Sequence, residues 1–136
     1  KISNPFFRSA VGALIVFDLT KSESFDHVVK WKRDILENSD AEIKFLLVGN
    51  KVDLKNLRSV LVEDIDFVCE TEGLKYIETS ALTNYNVENA FKVIVKDIMT
   101  SLGTKVLNDN LETHSNSDGG FRLSQKDKQN TNSCTC

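Results

Sequence analysis

The chain has 136 residues, a formal net charge of −3 and 40% hydrophobic residues, the balance of an ordinary soluble globular protein. No basic run or aromatic–basic interleaving points to nucleic acid, and no apolar segment nears the roughly 18 residues needed to cross a bilayer. Its three cysteines form no disulfide framework, which fits a reducing cytosol. The opening Lys1-Ile2-Ser3-Asn4-Pro5 does not read as a signal peptide, and the absence of Met there points to sequence upstream.

In chain order, Gly12-Ala-Leu-Ile-Val-Phe-Asp18 is apolar throughout and predicts a strand buried on both faces. Ser22 then caps a predicted helix in which Phe25, Val28, Val29, Ile35 and Leu36 recur at helical spacing. A strand at 44–49 follows and runs into the loop Asn50-Lys51-Val52-Asp53. Leu61, Ile65, Val68 and Cys69 mark the next helix, with Gly73 as its C′ residue. The strand at 75–79 leads through Glu78-Thr79-Ser80-Ala81 to a last helix capped by Asn86. Val87, Ala90, Phe91, Ile94, Val95, Ile98 and Leu102 form its apolar stripe. The order βαβαβα implies an α/β fold with a parallel sheet and right-handed crossovers. After Gly103 the pattern stops, so residues 1–102 read as a partial domain and 103–136 as a disordered tail.

The chemistry sits in two loops at the carboxyl ends of strands, where doubly wound folds hold their ligands. An Asp placed there can accept two hydrogen bonds from neighbouring N–H groups of a planar base. Guanine offers that pair on its Watson–Crick edge and adenine does not. Asn50-Lys51-x-Asp53 alone is a moderate signal, because a plain strand-to-loop turn can look the same. The second loop at Ser80-Ala81, correctly ordered and spaced, makes it strong. Other polar residues have simpler readings. Cys69 lies on an apolar stripe and reads as core, while His27 and His114 have no ligand-spaced companions. Trp31, off the main stripe of its helix, reads as a partner contact or as partly buried against a neighbour. Glu63, Asp64 and Asp66 read as a helix N-terminus favoured by the macrodipole rather than a metal site.

Taken together, these segments resemble a Rab-family small GTPase from the end of its switch II region to the C-terminus. Phe6-Phe7-Arg8-Ser9-Ala10-Val11-Gly12 resembles the family's entry into its fourth strand, and Phe17-Asp18-Leu19-Thr20, Ser24-Phe25, Trp31 and Asn86-Val87-Glu88-Asn89-Ala90-Phe91 also fit. The resemblance implies the C-terminal half of a P-loop-type fold, with three parallel strands flanked by helices. By resemblance, Asp53 would bind guanine N1–H and the exocyclic amine. Asn50 would fix the loop and reach the N7 side, and the stem of Lys51 would cover one face of the base. Ser80 would brace the first loop, and the Ala81 N–H would donate to O6. The family usually has Lys where this chain has Leu82, so the second face of the base would meet an apolar side chain.

No Gly-x-x-x-x-Gly-Lys-[Ser/Thr] occurs, and the switch I Thr, the Asp-x-x-Gly metal loop and the water-orienting Gln of the family are also absent. The chain is therefore expected to keep guanine recognition for GTP or GDP without hydrolytic apparatus. Mg2+ is expected only in the complete family fold. In that fold another strand pairs with residues 12–18, so here they would form an open apolar edge on a marginally stable chain. The ending Cys134-Thr135-Cys136 resembles the Cys-x-Cys of Rab proteins, which receives two geranylgeranyl groups, and two lipids anchor where one is marginal. The resemblance thus implies a switch in vesicle transport on the cytoplasmic face of an intracellular membrane. Its partners would be an escort protein and prenyltransferase, a GDP-dissociation inhibitor and effectors. The alternatives are a prenyl-anchored, non-catalytic binding module or a non-functional fragment.

Overall fold

The computed structural model describes residues 7–113, with side chains to 104. Three strands, β1 (Gly12–Asp18), β2 (Lys44–Asn50) and β3 (Lys75–Glu78), form one parallel sheet in the order β1-β2-β3. Helices α1 (Ser22–Asp26) and α2 (Val28–Glu37) join β1 to β2. Helix α3 (Val62–Glu72) joins β2 to β3, and α4 (Val87–Thr113) follows β3. This is the α/β architecture expected from the alternating elements.

β2 is the central strand and is buried on both faces, which is why its sequence is continuously apolar. Alternate side chains serve different cores. Ile15, Phe17 and Leu47 meet Val28, Val60, Ile65 and Leu74 on one side, where all are buried. Leu46 and Val48 meet Ala90 and Ile94 of α4 on the other, with Leu14, Ile77 and Ile98 partly buried around them. Gly73 ends α3 in the left-handed region, at φ 63° and ψ 40°, where a residue lacking Cβ costs least. The first turn of α3 holds Glu63 and Asp64, as the helix dipole favours.

Four details differ from the sequence reading. The helix expected from Ser22 to Leu36 is divided at His27, which stands between α1 and α2 and whose ring bonds back to the Glu23 carbonyl at 2.7 Å. Ser22 does not cap it; the cap position is Lys21 and carries no side-chain cap bond. Leu61 precedes α3 and is exposed, so Ile65 alone is fully buried from that helix. Finally, α4 passes through Gly103 and continues to Thr113. A single helical glycine costs only about 1 kcal/mol and does not force an end. The domain boundary expected at 102 thus falls inside a helix.

Register decides where the loops go. Asp18 pairs with Asn50 and Gly49 with Glu78, so the three strands end together. The segments after Asp18, Asn50 and Glu78 therefore meet at one edge of the sheet.

Candidate functional site

β2 delivers Asn50 and the turn that follows it. Lys51 adopts φ 69°, a conformation uncommon for a residue with a Cβ. The turn is held from β3's side, since Thr79 N–H donates to Gly49 O (2.8 Å) and Val52 N–H to Thr79 O (3.1 Å). Side chains tie the same two loops together. Asn50 Oδ1 accepts from the Ala81 N–H at 3.0 Å and from the Thr79 hydroxyl at 3.3 Å. The Ser80 hydroxyl donates to Asp53 Oδ1 at 2.5 Å and accepts from the Thr83 N–H at 3.2 Å. Ser80 is fully buried while Asp53 remains partly open. Asn86 closes the second loop, with its side-chain amide on Glu78 O at 3.1 Å.

Asn50, Lys51, Asp53, Ser80 and Ala81 are thereby gathered at one end of the sheet. Leu82 stands in the same loop, 85% exposed. The arrangement presents a carboxylate oxygen, an amide and a backbone loop around an open surface, a set able to grip the polar edge of a flat ring.

Residues outside the two motifs complete the site. Lys51 Nζ is 2.8 Å from Asp18 Oδ2, while Asp18 Oδ1 accepts from the Thr20 N–H (2.9 Å) and hydroxyl (2.7 Å). Burial would raise the Asp18 pKa, but Lys51 and Thr20 outweigh it and hold the carboxyl at about 2. The Lys51 stem is thus pinned at its tip. Arg58 donates to Glu78 Oε1 at 2.6 Å, and the same oxygen accepts from the Tyr76 hydroxyl at 2.9 Å. Sequence reading quoted Asp18 only within a motif and passed over Arg58 and Tyr76. A single acidic or basic residue beside a turn carries no spacing signal.

A cavity of about 300 Å3 lies behind the first loop, lined by Leu19, Lys51, Val52, Leu54, Arg58 and Glu78. The larger groove, about 870 Å3, opens at the opposite end of the strands beside Ile43, Lys44, Leu74, Lys75 and Thr100. Size alone would select the wrong end, because strand polarity places ligand loops at the carboxyl edge. Among the described residues no group of His, Cys, Asp or Glu could hold a metal ion. Cys134 and Cys136 lie outside the described residues.

A Ras family profile matches residues 1–100. Ras-related protein RABA2d of Arabidopsis thaliana is 44% identical over 106 residues, covering 78% of this chain and 49% of that protein. Ras-related protein YPTC6 of Chlamydomonas reinhardtii is 47% identical over 106 residues, again covering 78% and 49%. Ras-related protein Rab2BV of Beta vulgaris is 43% identical over 106 residues, covering 78% and 50%. The chain spans about half the length of the curated relatives it matches. On a sheet of this order, with these loops at its carboxyl edge, the chain belongs to the Ras family, in its Rab branch of small GTPases.

Proposed function

We propose that this chain is the guanine-recognition half of a Rab-type switch acting in vesicle transport. The observation that carries the reading is the cross-linking of the Asn50–Asp53 and Ser80–Leu82 loops, which leaves one Asp53 oxygen free of Ser80. The Asp53 carboxylate would accept from guanine N1–H and the exocyclic amine. Ser80, donating to Oδ1, fixes the carboxylate's orientation before any base arrives and leaves acceptor sites on both oxygens for the two guanine donors. Guanine O6 would share the Ala81 N–H with Asn50 Oδ1, the present acceptor of that donor. Lys51, held by Asp18, would lay its stem on one face of the ring, and Leu82 would offer apolar cover on the other. Phosphate and metal chemistry is not assigned to these residues.

The Asp53→Asn variant tests this directly. Asn presents one donor and one acceptor, which suits xanthine rather than guanine. A bidentate pair is worth about 1–3 kcal/mol, so the variant is expected to lose roughly tenfold to a hundredfold in affinity for a fluorescent guanosine diphosphate. It should gain affinity for the xanthosine counterpart in the same titration. Equal affinities of wild type and variant for both nucleotides would refute the assignment.

The second part of the proposal concerns anchoring. Cys134 and Cys136 would carry geranylgeranyl groups, added by an escort protein and prenyltransferase. A GDP-dissociation inhibitor would extract the lipidated chain, and effectors would read the nucleotide state. No helix among the described residues is long and apolar enough to cross a membrane. Attachment would rest on the two lipids, which together exceed the marginal hold of one. Incubation with geranylgeranyl diphosphate and the prenylation enzymes should add the mass of two lipids to the wild type and of one to either Cys→Ser variant. An unmodified wild-type chain would refute it.

A further inference from the structure

The loop that follows Asp53 returns to the sheet through a single short turn at Lys55–Leu57 and then reaches Arg58. The Arg58 Nε donates to Val60 O at 3.1 Å, which fixes the plane of its guanidinium. Its Nη2 donates to Glu78 Oε1 at 2.6 Å, and only Thr79 separates Glu78 from Ser80. Ser80 in turn donates to Asp53. The chain is therefore closed into a ring, from Asp53 through the short turn to Arg58, across to Glu78, along to Ser80 and back to Asp53. Tyr76 bonds the same Glu78 oxygen at 2.9 Å from within β3 and stops the carboxylate from swinging out. Burial first, and then the bond to Glu78, push the Tyr76 phenol well above its ordinary pKa, so it stays a donor at any working pH.

We propose that Arg58 and Glu78, braced by Tyr76, are positioning residues that set the distance between Asp53 and the Ser80–Ala81 loop, and through it the selectivity for guanine. The inference rests on the base-recognition reading above. The ion pair is a weak candidate for a purely global role, because both side chains are a quarter or more exposed, at 29% and 27%. Its position is what distinguishes it. It ties the far end of the first loop, beyond the end of β2, to Glu78, the last strand residue before the second loop. Ser59 and Val60 N–H groups both donate to Leu19 O at 2.9 and 3.3 Å, so the same return segment also anchors the loop after β1.

Amide hydrogen exchange on the full 136-residue chain reads this geometry without any ligand. In Arg58→Ala and Glu78→Ala the Val52 and Ala81 amides, which cross-link the loops, and the Thr83 amide, which holds Ser80 within the second, should exchange roughly tenfold faster while amides of β2 and α4 keep their rates. Arg58→Lys, retaining charge without the fork, should fall between. In a parallel titration, the preference for guanosine over inosine diphosphate, which lacks the exocyclic amine, should shrink in the same order. Wild-type rates at the three amides in both alanine variants would overturn the proposal, as would a uniform rise across the whole chain. If the amides respond as expected but the wild type prefers neither nucleotide, the brace stands and the base-recognition reading falls.

Discussion

Asp18 shows what one side chain contributes here. Its carboxylate holds Lys51 at 2.8 Å and Thr20 at 2.7 and 2.9 Å, and its pKa of about 2 lies below the ordinary 3.8 because these partners outweigh burial. As pH falls the unfolded chain takes up the proton first. The stabilisation is therefore complete above pH 3.8 and is lost as pH falls towards 2. The urea midpoint of the wild type should drop across that window. Asp18→Asn should flatten the drop by about 1–2 kcal/mol, discounted for partial exposure. A variant with an unchanged acid profile would remove Asp18 from this role. Asp53 stood out in sequence because Asn50 and Lys51 share its motif and a second loop follows at the expected spacing. Asp18 did not, since its partner Lys51 lies on another strand end and only the register of β1 on β2 brings them together.

At the scale of elements, β2 leaves no room at Gly49 beside Tyr76 of β3. A Cβ on Gly49 would lie 2.5 Å from the Tyr76 hydroxyl and 3.1 Å from Leu19 Cδ2. The phenol is tied to Glu78 and Leu19 is fully buried, so neither can give way easily. Gly49→Ala should therefore cost about 1–3 kcal/mol, read as a lowered urea midpoint with an unchanged slope. A neutral result would mean that β3 shifts freely, which the loop cross-links argue against. Strands β1 and β2 were legible because a buried parallel strand must be apolar along its length. The break at His27 and the run of α4 past Gly103 were not. The first falls inside a continuous helical spacing of apolar residues, and the second has helical bonds continuing through polar sequence with no apolar period.

For the whole molecule, the edges matter most. Among the described residues β1 has a strand on one side only, and Val16 on it is 48% exposed. Beyond it, α4 leaves Phe91, Val95, Met99 and Leu102 exposed along one face, although the sequence reading counted Phe91, Val95 and Leu102 in the helix's apolar stripe. An open apolar edge beside an uncovered apolar helix face is a template for association. The isolated chain should self-associate with rising concentration in sedimentation velocity, and Val16→Lys should reduce this. A monomer at all concentrations would show that the edge is protected. The central claim, that the two loops at the carboxyl end of the sheet read guanine, is tested most directly by following backbone amide NMR signals during titration with guanosine or adenosine diphosphate. The account predicts shifts at Asn50, Lys51, Asp53, Ser80, Ala81 and Leu82 with the guanosine nucleotide and none there with the adenosine one. Equal shifts with both, or no response at these residues, would contradict it.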